Sequence, residues 1–153
     1  MKSRVVLAED HRAFREALRN LLDRDPGIEV IGEAGDGTEA LELVRSVHPD
    51  VVVMDLRMPG INGVAALKQL IAAQPSLKVI VLSVTSEPMF ASEMLDAGAR
   101  GYVTKSDTSE LPRAIHAVES GVRYLSTEVA APAAEEAREA EPVVSKGAQR
   151  ATH

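Results

Sequence analysis

The stretch Val51-Val52-Val53-Met54-Asp55-Leu56-Arg57-Met58-Pro59-Gly60 decides the fold class of this chain. Its first four residues are apolar and three of them are β-branched, which is typical of a strand buried on both faces of a parallel sheet. The run ends on Asp55, and the Pro59-Gly60 pair predicts a turn shortly after it. Asp55 is therefore expected at the carboxyl end of a central strand, where open α/β sheets bind their ligands. Taken alone, this Asp is explained more simply as a helix cap or a turn residue.

Length and composition indicate a single globular domain. Of the 153 residues, 45% are hydrophobic and 26% are charged, and the lack of cysteine excludes disulfides, thiolate metal sites and cysteine nucleophiles. No apolar run is long enough for a signal peptide or a membrane span, so a cytoplasmic protein that does not contact a membrane is expected. The net charge of −6 differs from the basic footprint of nucleic-acid-binding modules, so the chain is not expected to bind DNA by itself.

Strand and helix patterns alternate along the first 125 residues. Each predicted strand is followed by a segment in which apolar residues recur at helical spacing. This alternation predicts an α/β fold with a doubly wound parallel sheet of five strands in the order 2-1-3-4-5, covered by helices on both faces. Residues 122–125 are a candidate short extended piece after the last helix. The predicted strands cover residues 4–8, 28–34 (an edge strand), 51–54, 78–83 and 100–104.

Residues 126–153 differ in composition from the rest of the chain. Eight of these 28 residues are alanine, and large apolar residues are nearly missing. Such a segment cannot bury enough apolar surface to offset the entropy cost of ordering it. We therefore predict one domain at residues 1–125, followed by a linker or disordered tail at residues 126–153.

Polar and charged side chains stand at the predicted carboxyl ends of four strands: Glu9 and Asp10, Asp55, Ser83, and Lys105. Because these ends share one edge of a parallel sheet, the five residues are expected to converge. Three carboxylates in one place repel each other unless a cation neutralises them, and Mg²⁺ is a hard cation that prefers oxygen ligands. The sequence therefore predicts a magnesium site at this edge of the sheet.

The same residues suit phosphoryl transfer. A free carboxylate can act as a nucleophile and form an aspartyl phosphate. The metal and Lys105 would neutralise charge on the phosphoryl oxygens, and Ser83 would donate a hydrogen bond to them. Each residue alone has a simpler explanation, as a helix cap, a strand end or a solvated lysine. Their joint occurrence at strand ends is what favours a functional site.

Four motifs follow one another along the sequence: Leu7-Ala8-Glu9-Asp10-His11, residues 54–63, Val81-Leu82-Ser83 and residues 97–105. In order and spacing they resemble the receiver domain of response regulators in two-component signalling. The resemblance covers about residues 3–125 and is closest to the NarL/FixJ subfamily, whose members usually continue into a LuxR-type helix-turn-helix. It implies a flavodoxin-like fold of the kind predicted above.

The resemblance implies a phosphoacceptor and a metal site. Asp55 would accept a phosphoryl group from the phosphohistidine of a sensor histidine kinase. Mg²⁺ would be held by Glu9, Asp10 and Asp55 together with the backbone carbonyl of Arg57. The protein would take part in phosphoryl transfer to its own Asp55 without being a turnover enzyme.

The resemblance also implies a switch that follows phosphorylation. Ser83 and Lys105 would bind the phosphoryl group once it is attached. Movement of the Ser83 hydroxyl toward the new charge would open space that Tyr102 can fill. This change would bias a two-state protein–protein surface, and phosphorylation-dependent homodimerisation is expected to follow.

The output part of such proteins has no counterpart in this sequence. The helix-turn-helix signature is not recognisable in residues 126–153, so DNA would be bound only through a domain outside this chain. The receiver would control transcription within a longer parent protein, or act as a short regulator through protein partners.

Two other functions are compatible with parts of the pattern. A phosphohydrolase would use Asp55 for turnover, but the haloacid-dehalogenase pattern has a second Asp two residues after the nucleophile, where this chain has Arg57. A receiver-like binding module that never takes phosphate would not need the complete set of strand-end residues. The phospho-accepting receiver therefore remains the preferred interpretation.

Overall fold

The computed structural model describes residues 2–57 and 62–129. The turn predicted at Pro59-Gly60 and residues 130–153 of the predicted tail lie outside the described residues. Within the described part, strands alternate with helices as the sequence predicts. The elements are β1 (Ser3–Ala8), α1 (Arg12–Asp23), β2 (Ile28–Ala34), α2 (Gly37–Val47), β3 (Val51–Asp55), α3 (Gly63–Ala73), β4 (Lys78–Ser83), α4 (Pro88–Asp96), β5 (Gly101–Thr104), a 3₁₀ turn (Thr108–Glu110), α5 (Leu111–Glu119) and β6 (Tyr124–Leu125).

The strands form one parallel sheet in the order β2-β1-β3-β4-β5-β6. The order of the first five strands and the edge position of β2 are as predicted. The prediction of five strands was wrong, because β6 pairs with Gly101 and Tyr102 of β5 and makes a sixth. A strand of two residues is too short to show an alternating pattern, so only its pairing identifies it.

The sheet is buried on both faces, and successive residues of the central strands point to opposite sides. One face packs against α2, α3 and α4, and the other packs against α1 and α5. Fully burying each branched aliphatic side chain contributes about 1.5–3 kcal/mol, so these two layers dominate the stability of the fold. The first face includes Val6, Val52, Met54, Val81 and Tyr102, and the second includes Val5, Leu7, Val53, Leu82 and Val103.

Strand register brings the carboxyl ends of β1, β3, β4 and β5 to the same level. Ala8 lies beside Met54, so the next residues, Glu9 and Asp55, follow at adjacent positions. In the neighbouring strand pair, Ser83 of β4 lies beside Thr104 of β5, and the Lys105 backbone N–H donates to the Ser83 carbonyl at 2.8 Å. The parallel topology therefore places all four strand ends at one edge.

The structure describes four residues past β6. Ser126 and Val129 are both fully buried, whereas Thr127 and Glu128 are exposed. A short segment with few apolar residues gives no sequence signal for this burial. The predicted boundary between domain and tail at residue 125 stays a prediction. None of the helices within residues 2–57 and 62–129 is long and apolar enough to cross a membrane.

Glu110 attaches this C-terminal segment to the start of α5. Its side chain is buried and accepts hydrogen bonds from the Tyr124 hydroxyl at 2.6 Å and from the Thr127 backbone N–H at 3.0 Å. We expect Glu110→Ala to lower the free energy of unfolding by about 2 kcal/mol, because both donors lose a charged acceptor. Denaturant unfolding of the variant measures this difference.

A matched control for Glu110 lies at the end of α5, the helix that follows it. Glu119 accepts from Ser3 and pairs with Lys78 at 3.3 Å, but its side chain is 24% exposed. Because water can replace these partners, Glu119→Ala is expected to cost less than about 1 kcal/mol. Equal losses for the two variants would contradict the anchoring role of Glu110.

Glu33 links β2 to α1 through two arginines. Hydrogen bonds from Arg19 and then Arg15 outweigh burial and hold the pKa of Glu33 below its ordinary 4.5. A lowered pKa in the folded state means that the stabilisation is present above pH 4.5 and is lost as pH falls through the folded pKa. We expect Glu33→Gln to cost about 1 kcal/mol at neutral pH and nothing in strong acid. Urea unfolding over a pH series checks this, and a pH-independent difference would contradict it.

Candidate functional site

Three carboxylates meet at the carboxyl edge of the sheet. Oxygen atoms of Glu9, Asp10 and Asp55 lie within 4.8 Å of one another. Glu9 and Asp55 are 1% and 3% exposed, whereas Asp10 is exposed to solvent. The convergence that the strand pattern predicts is therefore present for all three acidic residues.

Lys105 bridges the two buried carboxylates. Its Nζ lies 2.9 Å from Asp55 Oδ2 and 2.9 Å from Glu9 Oε1. The ammonium also lies 4.9 Å from the centre of the Phe14 ring on α1, within the range of a cation–π contact. Burial lowers the pKa of Lys105, but its contacts with Asp55 and Glu9 outweigh that effect and raise the pKa above 10.5. Lys105 is therefore a fixed positive charge in the site.

Burial of Glu9 disfavours the ionised form of its carboxyl group. Burial raises its pKa above the ordinary 4.5, and the nearby charge of Asp55 adds to this, while the His11 backbone N–H and Lys105 act in the opposite direction. The His11 N–H donates to Glu9 Oε2 at 2.9 Å. Glu9 Oε1 lies 2.9 Å from the Lys105 ammonium, which offsets part of the cost of burying this carboxylate.

This arrangement fits a hard cation. Three carboxylates lie within 4.8 Å of one another, Lys105 supplies a positive charge between two of them, and carboxylate oxygens are the ligands that a hard cation prefers. Arg57, the other predicted ligand, donates its backbone N–H to Asp55 Oδ1 at 3.0 Å, which places its peptide beside the cluster. A cation ligand role for the Arg57 carbonyl stays a prediction.

Ser83 and Asp55 line one cavity of ≈460 Å³, together with Thr85 and Phe90. The Ser83 side chain is not bonded to Asp55 but accepts a hydrogen bond from the Thr85 backbone N–H at 3.2 Å. The cavity gives a phosphoryl-sized group room beside the carboxylate. The predicted binding residues therefore lie at one edge of the sheet, where Ser83 shares a cavity with Asp55 and Lys105 contacts the Asp55 carboxylate.

Tyr102 is fully buried on β5, and its side chain lies inside the domain. Its hydroxyl donates to the Thr85 carbonyl at 2.7 Å, and its ring packs edge-on against Phe90 with centroids 6.2 Å apart. Burial raises the Tyr102 pKa above 10, with a smaller opposing effect of the Ser83 hydroxyl. The predicted switch role of Ser83 and Tyr102 stays a prediction.

Two contributors to the site were not predicted as site residues. Phe14 appears in the sequence as a core residue of α1, and only the fold places its ring beside Lys105. Arg15 donates to the Glu9 backbone carbonyl at 2.6 Å and thereby holds the end of β1. Helical spacing in the sequence identifies both as helix residues but does not reveal what they contact.

Residues 5–116 match the family described as the response regulator receiver domain. The chain belongs to this family. The receiver domain is 39% identical to the response regulator GacA of Pseudomonas aeruginosa, over 83% of this chain and 60% of GacA. It is 38% identical to the transcriptional regulatory protein DegU of Brevibacillus brevis, over 84% of this chain and 55% of DegU.

A solved structure extends the match to three dimensions. The receiver domain superimposes on a LuxR-family two-component response regulator from Aurantimonas with a TM-score of 0.85 and 39% identity, covering 90% of this chain and 99% of that one. The sequence-based resemblance is therefore confirmed at the level of family and fold. The chain spans 60% of the length of GacA, so it matches one part of that relative.

Proposed function

We propose that this receiver domain accepts a phosphoryl group on Asp55 from the phosphohistidine of a sensor histidine kinase. The observation that carries the proposal is the bridging of Asp55 and Glu9 by the Lys105 ammonium, 2.9 Å from each. A buried carboxylate beside a fixed cation is both a nucleophile and a prepared binding site for the charge that arrives with the phosphoryl group.

The reaction is a displacement at phosphorus. An oxygen of Asp55 forms a bond to phosphorus, while the bond to the donor nitrogen breaks and its electron pair leaves with the imidazole, which takes up a proton. Lys105 binds a phosphoryl oxygen as a point charge, and the Ser83 hydroxyl donates a hydrogen bond to another. Transfer ends at the aspartyl phosphate, so the domain is a phosphorylated switch and not a turnover enzyme.

The cation of this site is Mg²⁺ in our proposal. Glu9, Asp10 and Asp55 would hold it with the Arg57 carbonyl, and the convergence of three carboxylates beside the Lys105 ammonium supports this. When bound, the ion supplies charge neutralisation for the phosphoryl oxygens. Coordination also keeps Glu9 ionised despite its burial.

The Thr85 backbone is the connection between phosphorylation and the surface. Its N–H donates to Ser83, and its carbonyl, in the next peptide group, accepts from Tyr102. When the Ser83 hydroxyl turns toward the phosphoryl group, the Thr85 N–H loses its acceptor, and a shift of the Thr85 backbone would also move the carbonyl that holds the Tyr102 hydroxyl. Because Phe90 on α4 packs on the Tyr102 ring, α4 responds to this movement.

In the parent context we propose that this surface controls transcription. The matched relatives include a protein named a transcriptional regulatory protein and a LuxR-family structure, which supports this assignment. DNA would be contacted by an output domain, and phosphorylation would favour a homodimer of the receiver. We place the reaction in the cytoplasm.

Incubation with acetyl phosphate and Mg²⁺ tests the proposal. The intact mass is expected to rise by one phosphoryl group, and borohydride reduction followed by peptide mapping is expected to label Asp55. Chelation of the metal is expected to prevent the adduct. Absence of an adduct with both acetyl phosphate and a histidine kinase would contradict the proposal and favour a binding module. Continuous release of phosphate from simple phosphate esters would favour a hydrolase.

A further inference from the structure

The C-terminal segment at residues 124–129, called the strap below, contacts both chain neighbours of Lys105. The Thr104 backbone N–H donates to the Ser126 hydroxyl at 2.9 Å. The Ser106 hydroxyl donates to Glu128 Oε1 at 2.5 Å and lies 3.2 Å from the Thr104 hydroxyl. The lysine that touches Glu9 and Asp55 is therefore held between two residues that are bonded to the strap.

The strap is fixed at both ends by contacts away from Lys105. At its start, Leu125 continues the sheet through the pairing of β6 with β5, and the Ser126 backbone N–H donates to the Tyr102 carbonyl at 2.9 Å. At its end, Val129 is fully buried in the same apolar layer as Tyr102. The strap therefore has a defined position against α4 and β5.

The burial of Ser126 and the charge of Glu128 indicate that the strap packs specifically against the residues on either side of Lys105. Ser126 is fully buried, so its hydroxyl is not accessible to water and the Thr104 N–H depends on it. The Ser106 hydroxyl, followed by the Thr104 hydroxyl, lowers the pKa of the exposed Glu128 carboxyl. The exposed Glu128 carboxylate is therefore held at the side chain of Ser106, the residue that follows Lys105.

We propose that Ser126 and Glu128 are positioning residues that hold the Lys105 ammonium against Asp55, so that the strap is part of the phosphoryl-transfer machinery. This inference rests on the proposed function of Asp55. Release of the strap loosens the turn at Thr104–Ser106, and the ammonium then spends less time beside Asp55. By linkage, if the attached strap favours binding of a phosphoryl group to Lys105, then a bound phosphoryl group favours the attached strap to the same extent.

If the strap had only a structural role, it would cover the apolar layer, and changes in the strap would leave the position of the Lys105 ammonium unaffected. Glu128 separates the two roles because it is exposed and its removal leaves the buried Val129 and Ser126 in place. We expect Glu128→Ala to slow phosphorylation by acetyl phosphate about fivefold, a typical coupling factor between linked sites. Glu128→Gln retains an acceptor for Ser106 and is expected to restore the rate. Glu29→Ala, at an exposed position on β2, is the matched control.

A second measurement does not depend on phosphorylation. The ¹⁵N resonance of the Lys105 ammonium, recorded without phosphodonor, is expected to shift in Glu128→Ala and in Ser126→Ala but not in Glu29→Ala. An unchanged resonance in both strap variants, or an unchanged phosphorylation rate in Glu128→Ala, overturns the inference while leaving Asp55 phosphorylation intact. Absence of any adduct on the unmodified chain overturns the proposed function, and with it the catalytic part of this inference.

Discussion

Asp55→Asn is expected to abolish the phosphoryl adduct completely. The amide oxygen of Asn is a poor nucleophile, and the variant has no second oxygen at that position to form an acyl phosphate. The fold is expected to survive, because Lys105 keeps its contact with Glu9 and one of the three converging carboxylates is removed. Intact-mass spectrometry after incubation with acetyl phosphate and Mg²⁺ measures the result.

The control for this prediction lies at the opposite end of the same strand. Asp50 precedes β3 and accepts the Arg4 backbone N–H at 2.9 Å, far from the carboxylate cluster. Asp50→Asn is expected to form the adduct at the rate of the unmodified chain. An adduct that persists in Asp55→Asn would assign the phosphoacceptor to another residue, and the exposed Asp10 would be the first to map.

Lys105→Met is expected to have the largest effect on stability. Without the ammonium, the buried Glu9 and Asp55 side chains face each other with no cation between them. Removing one partner of a buried ionic cluster typically costs about 3–5 kcal/mol, and the lower end is expected here because the Lys105 side chain is 20% exposed. Saturating Mg²⁺ is expected to recover part of the loss, since a cation that binds only the folded state stabilises it. Urea unfolding at neutral pH, with and without Mg²⁺, checks both expectations.

Lys105→Met is also expected to slow phosphorylation about a hundredfold, because a fixed charge on a phosphoryl oxygen is lost. Lys78→Met is the matched control for both effects. Its ammonium pairs with Glu119 at 3.3 Å in a partly exposed position away from the site. We expect it to cost less than about 1 kcal/mol and to leave the phosphorylation rate unchanged. A stable Lys105→Met variant without Mg²⁺ would show that the carboxylates tolerate each other through protonation of Glu9.

Much of the fold could be predicted because its signals are local. The apolar run before Asp55 identified a buried strand, and the alternation of strand and helix patterns identified the parallel sheet and its order. The parallel topology then made the convergence of Glu9, Asp55, Ser83 and Lys105 predictable, because all parallel strands end at the same edge. Motif resemblance added the family, which the match over residues 5–116 confirms.

The details that decide how the site operates are not local. The sequence indicates a candidate extended piece at residues 122–125, but not that β6 pairs with β5. It also does not indicate that Val129 is buried in the same apolar layer as Tyr102 or that Phe14 lies beside Lys105. These contacts join residues that are distant in sequence, and they depend on how closely the layers pack.

By itself, the sequence determined the α/β class, the strand order of the central sheet and the identity of the residues at its carboxyl edge. Hydrophobic period and chain topology are sufficient for these, since they require only local patterns and a parallel sheet. The tertiary structure alone decided which atoms of that edge meet. It placed Lys105 between Glu9 and Asp55, connected Ser83 to Tyr102 through Thr85, and joined the Lys105 loop to Ser126. Distances of this kind depend on the packing of complete layers, and no periodicity in a sequence encodes them.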